Sequence, residues 1–229
     1  MQQSGEIVYV VDDDISIREA MTDLLVALKL AVISFDSAES FLQHERVDTA
    51  ACLLLDLELP QMNGLELQTR LAQTTHLPVI FITGHGDIPS SVRAMKGGAM
   101  EFLTKPVDHE VLTKAIRAAL ELNRDARARE ADMVGLRNRE SLLTPRERQV
   151  LPLLVMGYLN KQVAASLGIA EVTVQIHRGR IMRKMAAQSF ADLVRMCDLI
   201  GIPARANTSL SRTSTEDSPP LLPSPHGFE

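Results

Sequence analysis

The sequence predicts a doubly wound α/β domain with a five-stranded parallel sheet, followed by a small all-α domain. Five short apolar segments in residues 1–121 alternate with segments of helical period, which is typical of strands that are each followed by a helix. These segments are continuously apolar, as expected for strands that helices cover on both faces of the sheet. Residues 141–202 show helical patterns only. A length of 229 residues also suits two packed cores.

The predicted elements of the first domain follow in strict alternation. The strands cover residues 7–11, 32–35, 52–55, 79–83 and 101–104. The helices cover residues 16–29, 37–43, 64–72 and 87–96, and the fifth begins at residue 108, with Ser37 and Asp108 as N-caps. The fifth helix has no proline up to residue 139, so we expect it to continue as a charged helical linker over residues 122–140.

The second domain, over residues 141–202, begins with a clear helix-start signal. Thr144 and Glu147 have the spacing of a capping box, and Pro145 lies at the first helical position. Two further helices follow after glycine-containing turns, the first capped by Asn160 and the second covering residues 171–185. This order predicts a helix-turn-helix domain.

The charge of the chain is unevenly distributed. Residues 1–121 contain 9 Lys/Arg and 18 Asp/Glu (net −9), and residues 122–202 contain 13 and 8 (net +5). A basic module indicates a polyanionic partner, of which nucleic acid is the commonest. Residues 203–229 are rich in Ser, Thr and Pro, a composition that predicts a disordered tail.

Composition also excludes several classes of protein. No segment approaches the roughly 18 consecutive apolar residues of a membrane helix, and the N-terminus lacks the features of a signal peptide. We therefore expect a cytoplasmic protein with no membrane partner. Cys52 and Cys197 lie far apart in apolar segments, which favours buried thiols over a disulfide or a zinc site.

The carboxyl ends of four predicted strands have residues suited to phosphoryl transfer. The carboxyl ends of parallel strands meet at one edge of a sheet. Two like charges 4 Å apart repel by about 4 kcal/mol at an effective dielectric of 20, so clustered carboxylates require a cation, and hard oxygen ligands favour Mg²⁺. Phosphoryl transfer also requires groups opposite the metal, which a lysine and a hydroxyl provide, and Asp56 is the candidate nucleophile. The residues concerned are Asp12, Asp13, Asp14, Asp56, Thr83 and Lys105.

Four segments, VDDD, LLLDLELPQMNGLEL, FITGHGD and EFLTKP, together resemble the receiver domain of bacterial response regulators over residues 5–121. The resemblance implies a flavodoxin-like fold and phosphorylation of Asp56 by a sensor histidine kinase. It also implies that Asp13, Asp56 and the main-chain carbonyl of Glu58 hold Mg²⁺, while Asp12 acts through water.

The same resemblance assigns the remaining residues of the pocket. Thr83 and Lys105 would contact the phosphoryl oxygens, and the Lys105-Pro106 peptide would be cis. Phe102 takes the place of the switch aromatic, where the family frequently has tyrosine. The alternative for Phe102 is an ordinary core residue of the edge strand.

The outward face of the last helix of the helix-turn-helix suits DNA. At 100° per residue, Val174, Ile181 and Met185 face the core. Exposed apolar side chains can contact thymine methyl groups, a glutamine can pair with adenine, and basic side chains can contact phosphates. A glycine, which costs about 1 kcal/mol inside a helix, suits a close backbone approach. The predicted contact residues are Lys161, Val172, Gln175, Ile176, Arg178, Gly179, Arg180, Arg183 and Lys184.

Residues 141–200 are similar to the four-helix DNA-binding domain of the FixJ, NarL and LuxR group. The likeness rests on a Thr-x-Arg-Glu start, on Asn160-Lys161, and on Thr173-Val174 with His177 and Lys184. It adds Thr173 to the predicted DNA contacts. Ala170 departs from the pattern, because many members have a serine N-cap there.

Together the two resemblances predict a FixJ-type response regulator that binds promoter DNA as a homodimer when phosphorylated, with RNA polymerase as a further partner. It would catalyse only its own phosphorylation and dephosphorylation. One alternative is a haloacid-dehalogenase-like phosphatase, since DDDIS at residues 12–16 fits its nucleophile loop, but this leaves Asp56 and the basic module unexplained. A regulator that works without phosphorylation is the other alternative, and the complete acidic pocket argues against it.

Overall fold

The computed structural model describes residues 5–84 and 86–203. The chain divides into two compact units between Val134 and Gly135, inside the predicted 122–140 linker, and each unit is described by itself below. The predicted tail lies outside the described residues except for Pro203.

The first unit is built on a parallel five-stranded sheet in the order β2-β1-β3-β4-β5, as the sequence predicts. Val11 pairs with Phe35 and Leu55, and Thr83 pairs with Thr104, so the carboxyl ends of the strands are aligned. The strands are β1 (Ile7–Val11), β2 (Ala31–Phe35), β3 (Ala51–Leu55), β4 (Val79–Thr83) and β5 (Glu101–Thr104).

Helices cover both faces of this sheet, which explains why its strands are apolar throughout. In β1, Tyr9 and Val11 belong to one core cluster, whereas Val8 and Val10 belong to the other. The helices of this unit are α1 (Ile15–Ala27), α2 (Ala38–Gln43), α3 (Gly64–Ala72), α4 (Ile88–Lys96) and the first part of α5 (His109–Ser141). The rest of α5 belongs to the second unit, because the boundary follows Val134.

The starts of these helices follow from their capping residues. Ser37 caps α2 by accepting a hydrogen bond from the Ser40 N–H, as predicted. Asp108 precedes α5, and its Oδ1 accepts from the N–H groups of Glu110 and Val111 at 2.7 and 3.2 Å. Each carboxylate or hydroxyl satisfies an N–H group that the first turn of a helix leaves free.

The second unit is all helical, as the sequence predicts. After the end of α5 it contains α6 (Pro145–Val155), α7 (Asn160–Leu167), α8 (Glu171–Met185) and α9 (Phe190–Leu199). The predicted capping box is present: Thr144 Oγ1 accepts from the Glu147 N–H, and Glu147 Oε2 accepts from the Thr144 N–H at 2.8 Å. Val174, Ile181 and Met185, the predicted core face of α8, are fully buried.

The predicted cap of α7 is wrong. Asn160 is the first residue of the helix, and the cap position belongs to Leu159. Instead of an asparagine cap, Gln162 Oε1 reaches back and accepts from the Leu159 N–H at 2.9 Å. The helix therefore begins one residue earlier than an asparagine cap would place it, and the N–H of its cap residue is satisfied from within the first turn.

Candidate functional site

Three carboxylates meet at the carboxyl edge of the sheet. Asp12 and Asp13 follow β1, Asp56 follows β3, and one oxygen from each lies within 4.8 Å of the others. Asp12 and Asp56 are 4% and 8% exposed, whereas Asp13 faces solvent. The aligned register of β1 with β3 produces this cluster, because Val11 and Leu55 pair directly before the two acidic segments.

Lys105 supplies the positive charge opposite these carboxylates. Its Nζ lies 2.6 Å from Asp12 Oδ2 and 3.6 Å from Asp56 Oδ2. The following peptide, Lys105-Pro106, is cis, as the resemblance implies. The main chain of Lys105 is also anchored, because its N–H donates to the Thr83 carbonyl at 2.8 Å.

A hydrogen bond orients one oxygen of the Asp56 carboxylate, and an ammonium group faces the other. Its Oδ1 accepts from the Leu57 N–H at 2.8 Å, and its Oδ2 faces Lys105. Burial raises the pKa of Asp56, the Lys105 ammonium lowers it, and the neighbouring Asp12 raises it, so that the pKa lies above its ordinary value. A carboxylate with a partly desolvated oxygen is suited to act as a nucleophile.

Two glycines bring neighbouring segments against the pocket. A Cβ at Gly64, the first residue of α3, would lie 2.3 Å from the Asp56 carbonyl oxygen. A Cβ at Gly86 would lie 2.8 Å from Thr104 Cγ2 and 3.1 Å from Phe102 Cε1. Neither glycine was singled out from the sequence, although the Asn63-Gly64 turn after the third strand is a signal that could have been used.

Thr83 and Phe102 occupy neighbouring strands. Thr83 ends β4 and is fully buried. Phe102 is partly buried, and its ring centroid lies 6.0 Å from that of Phe81. The described position of Phe102 agrees with both of its interpretations, a switch aromatic and a core residue of the edge strand.

The donor set fits a hard divalent cation. Three carboxylates lie together, and Lys105 alone neutralises only part of their charge. Glu58, the predicted source of a carbonyl ligand, lies in the loop directly after Asp56 and has an exposed side chain. Asp14 has a different role from its neighbours, because its Oδ1 caps α1 by accepting from the Ser16 N–H at 2.8 Å.

On α8 of the second unit, the predicted DNA-binding side chains are mostly exposed. Val172 and Ile176 are 60% and 49% exposed, although both are large and apolar. A Cβ at Gly179 would meet no atom within 4 Å, so the packing of the described residues does not require this glycine. The other exposed residues of the predicted set are Lys161, Gln175, Arg180 and Arg183, and Thr173 is partly buried.

Two predicted phosphate contacts already have partners within the second unit. Lys184 Nζ donates to Glu147 Oε2 at 2.7 Å and to the Leu142 carbonyl at 3.0 Å. The guanidinium of Arg178 stacks over the Phe190 ring at 4.4 Å from its centroid. Lys184 therefore neutralises a buried carboxylate and ties α8 to α6, a role that sequence reasoning missed.

Comparison with known proteins identifies the class to which this fold and site belong. Residues 8–117 match the response regulator receiver domain, and residues 141–197 match the bacterial regulatory proteins of the luxR family. The chain belongs to the response regulators that join a receiver to a LuxR-type DNA-binding domain. It is thus a regulator of transcription rather than a classical enzyme, with a kinase and promoter DNA as the partners implied by its two domains.

Individual relatives agree with this membership. Nodulation protein W of Bradyrhizobium diazoefficiens is 49% identical over 199 residues, which cover 86% of this chain and 88% of the relative. The transcriptional regulatory protein FixJ of Azorhizobium caulinodans is 41% identical over 196 residues, or 85% and 93% of the two chains. The solved structure of the response regulator StyR matches with a TM-score of 0.77 at 47% identity, covering 85% of this chain and 98% of that one. Among the helices of residues 5–84 and 86–203, none has the length and apolar character needed to cross a membrane.

Proposed function

We propose that Asp56 accepts a phosphoryl group from a sensor histidine kinase, and that the phosphorylated protein dimerises and binds promoter DNA through α8. The observation that carries this proposal is the convergence of Asp12, Asp13 and Asp56 within 4.8 Å, with Lys105 Nζ 3.6 Å from Asp56 Oδ2. The protein acts in the cytoplasm, where its promoter lies, and the DNA-bound dimer contacts RNA polymerase.

In the phosphorylation step, Asp56 Oδ2 bonds to phosphorus as the bond between phosphorus and the kinase histidine breaks. Oδ1 keeps its hydrogen bond from the Leu57 N–H, which fixes the orientation of the carboxylate. Lys105 moves its hydrogen bond from Asp12 to a phosphoryl oxygen, and Thr83 holds a second one. Asp13, Asp56 and the Glu58 carbonyl would hold Mg²⁺, with Asp12 acting through water. The bound ion would supply charge neutralisation on the phosphoryl oxygens. Hydrolysis of the aspartyl phosphate in the same pocket returns the protein to its starting state.

Asp13→Ala is expected to weaken Mg²⁺ binding by about tenfold or more, because it removes one of the three clustered carboxylates. Titration with Mn²⁺, followed by electron paramagnetic resonance, measures the affinity directly. Asp14→Ala is the matched control, since this neighbouring carboxylate caps α1 and does not belong to the cluster. If the Asp13→Ala variant and the parent protein bind the metal with equal affinity, then Asp13 is not a metal ligand.

The proposed DNA surface is the exposed face of α8. Val172 and Ile176 are exposed apolar residues one turn apart and suit thymine methyl groups. Gly179, which no described neighbour requires, would let the helix backbone approach the DNA closely. Arg180 and Arg183 remain proposed phosphate contacts, with Lys161 and Arg178 at the sides, Thr173 near the start of α8, and Lys184 in a secondary role because of its pairing with Glu147.

Gln175→Ala is expected to reduce the preference for target over random DNA, since a bidentate base contact contributes about 1–3 kcal/mol of discrimination. Arg183→Ala is expected to weaken binding to target and to random DNA by the same factor. It should also reduce the slope of log affinity against log salt concentration by about one unit. Affinities measured over a series of salt concentrations separate the two effects. Arg195→Ala, which removes an exposed charge from α9 instead, serves as the control. If Gln175→Ala behaves like Arg183→Ala, then Gln175 does not read bases.

Phosphorylation is expected to convert the full-length protein from monomer to dimer, and to raise its affinity for a two-fold promoter site. A dimer binds two half-sites more tightly than a single module binds one. Once the first module is bound, the second is held near its own half-site at a high effective concentration. A fragment beginning at residue 136, with its helicity checked by circular dichroism, should bind as weakly as the unphosphorylated protein. A fragment that binds more tightly would instead indicate that the receiver hinders α8. A protein that sediments as a monomer after complete phosphorylation, even with promoter DNA, would contradict the proposed dimer.

A further inference from the structure

Arg18, in the first turn of α1, contacts the main chain of the acidic segment that precedes this helix. Its Nη1 donates to the Asp12 carbonyl oxygen at 2.7 Å. No carboxylate of residues 5–84 and 86–203 forms an ion pair with the Arg18 guanidinium. Asp14, four positions earlier, has the spacing of a helical ion pair, but its Oδ1 caps α1 instead. The hydrogen bond that the structure gives this guanidinium therefore goes to the backbone of the acidic pocket.

This hydrogen bond orients the peptide group between Asp12 and Asp13. A peptide group is planar, so fixing its carbonyl also fixes the direction in which the chain enters Asp13. A guanidinium donor is charged, which makes the hydrogen bond stronger than one between neutral groups. One side chain of α1 thus constrains the backbone of both clustered carboxylates that follow β1.

The other polar atoms of Asp12 are held by different segments. Its N–H donates to the Phe35 carbonyl at 3.2 Å. Its Oδ1 accepts from the Asp14 N–H at 2.9 Å, and its Oδ2 accepts from Lys105 Nζ at 2.6 Å. The bond from Arg18 completes the anchoring of Asp12, and it is the bond on the side where the chain continues to the next acidic residue.

Asp13 depends on this backbone more than its neighbours do. Its side chain is exposed and accepts no hydrogen bond from the described residues. Even so, one of its carboxylate oxygens lies within 4.8 Å of oxygens of Asp12 and Asp56. The backbone therefore places the Asp13 carboxylate in the cluster, and Arg18 fixes that backbone where it enters the residue.

We propose that Arg18 is a positioning residue for the metal site, which it keeps formed by holding the peptide between Asp12 and Asp13. The inference rests on the proposed function, since it takes the clustered carboxylates to be the Mg²⁺ site. Groups that orient metal ligands typically contribute about tenfold or more to metal affinity. Arg18→Met keeps most of the apolar length of the side chain but removes the donor, so it should weaken metal binding by about tenfold.

The charge of Arg18 predicts the opposite effect, which makes the sign of the change decisive. A guanidinium near the pocket repels a cation, so its removal would tighten metal binding if charge alone acted. Weaker binding by a folded variant therefore indicates lost positioning. The charge has a minor effect on its other acidic neighbour, because hydrogen bonds from Ser40 and Ser37 lower the pKa of Asp36 more than Arg18 does.

Titration with Mn²⁺, followed by electron paramagnetic resonance, compares the full-length parent with its variants. The Kd for Mn²⁺ should rise about tenfold in Arg18→Met. Arg18→Lys keeps a charged donor and should recover part of the affinity. Lys114→Met removes an exposed positive charge from α5 instead and should bind Mn²⁺ as the parent does. Arg18 is partly exposed, so its variants are expected to fold, and circular dichroism of the metal-free proteins checks this.

The Mg²⁺ dependence of labelling by acetyl phosphate separates positioning from a general loss of function. Arg18→Met should need about ten times more Mg²⁺ for half-maximal labelling. Its rate at saturating Mg²⁺ should approach that of the parent, because Asp13 is then held by its contact with the ion. A lower saturating rate with an unchanged Mg²⁺ requirement would show that Arg18 acts on another step, and would overturn the inference.

The Mn²⁺ titration also distinguishes this inference from the proposed function on which it rests. Equal or tighter binding by Arg18→Met would overturn the positioning role and leave the metal site in place. The absence of saturable binding by the parent would overturn the metal site and the positioning role together. A tenfold loss in Lys114→Met as well would contradict the positioning role, since the effect would not depend on the bond to the Asp12 carbonyl.

Discussion

Asp56→Asn is expected to abolish phosphorylation by acetyl phosphate or by a phosphorylated kinase in the presence of Mg²⁺. The amide keeps the shape of the side chain but cannot act as the nucleophile. Phosphate-affinity electrophoresis and peptide mass spectrometry should find the label on Asp56 of the parent and none on the variant. Asp14→Asn is the control, because this acidic neighbour only caps α1 and should leave labelling unchanged. Undiminished labelling of the Asp56→Asn protein would refute the assignment of the acceptor.

The same substitution should make the metal-free protein more stable. Burial is the largest influence on Asp56 and raises its pKa, so the folded state binds this proton more tightly than the unfolded chain does. The resulting stabilisation is complete below the ordinary pKa of aspartate and is lost as the pH rises through the raised value. At neutral pH the ionised carboxylate therefore opposes folding, and Asp56→Asn should raise Tm in metal-free buffer. A raised Tm would also exclude misfolding as the reason for lost phosphorylation.

Lys184→Met is expected to destabilise the helix-turn-helix unit by about 3 kcal/mol, since it leaves a buried carboxylate without its counter-charge. The Glu147 side chain is 2% exposed, and Lys184 Nζ is the only ammonium that the described contacts place against it. Hydrogen–deuterium exchange of α6 and α8 in the full-length protein measures the loss locally. Arg183→Met, one position earlier and exposed, should leave exchange nearly unchanged.

The opposite partner should matter less. Glu147→Gln keeps an acceptor for the Thr144 N–H, and the 32% exposed Lys184 side chain can turn to solvent. The double variant with Lys184→Met should recover much of the lost stability, because no unpaired charge then stays buried. Equal losses in both single variants, with no recovery in the double variant, would contradict this account.

This ion pair also predicts a pH dependence. Burial alone would raise the pKa of Glu147, but hydrogen bonds from Lys184 and Thr144 outweigh it and hold the pKa below its ordinary value. The stabilisation is therefore present above the ordinary glutamate pKa of about 4.3 and is lost as the pH falls through the lowered value. Exchange protection of α6 should decline in that range in the parent and much less in Glu147→Gln.

Local patterns were sufficient to predict most of the fold. Continuous apolar segments indicate the strands of the sheet. Thr144-Pro145 with Glu147 marks the start of α6, because the two polar residues of a capping box lie three positions apart. The same kind of reasoning wrongly predicted Asn160 as the cap of α7, because a residue suited to a cap can also occupy the first turn of the helix. The positions of Asp12, Asp13 and Asp56 follow from the topology, because parallel strands end at one edge of the sheet.

Contacts between distant segments leave no local pattern. Lys184 and Glu147 are 37 positions apart and lie on different helices, so nothing in either neighbourhood indicates that they pair. On the sequence, Lys184 is one of several basic residues on an exposed helix, and a phosphate contact is the natural prediction.

Gly64 shows how closely the backbone around the acceptor is built. Its φ does not lie in the left-handed region, so any residue could adopt the conformation. What excludes larger residues is space: a methyl group would overlap the Asp56 carbonyl oxygen at 2.3 Å and the Phe81 ring at 2.9 Å. Even the smallest substitution, Gly64→Ala, would therefore force α3 and β3 apart. This movement would displace the end of β3, which positions Asp56. Saturation mutagenesis should find this position as intolerant as the acidic residues themselves, although it has no side chain with which to do chemistry.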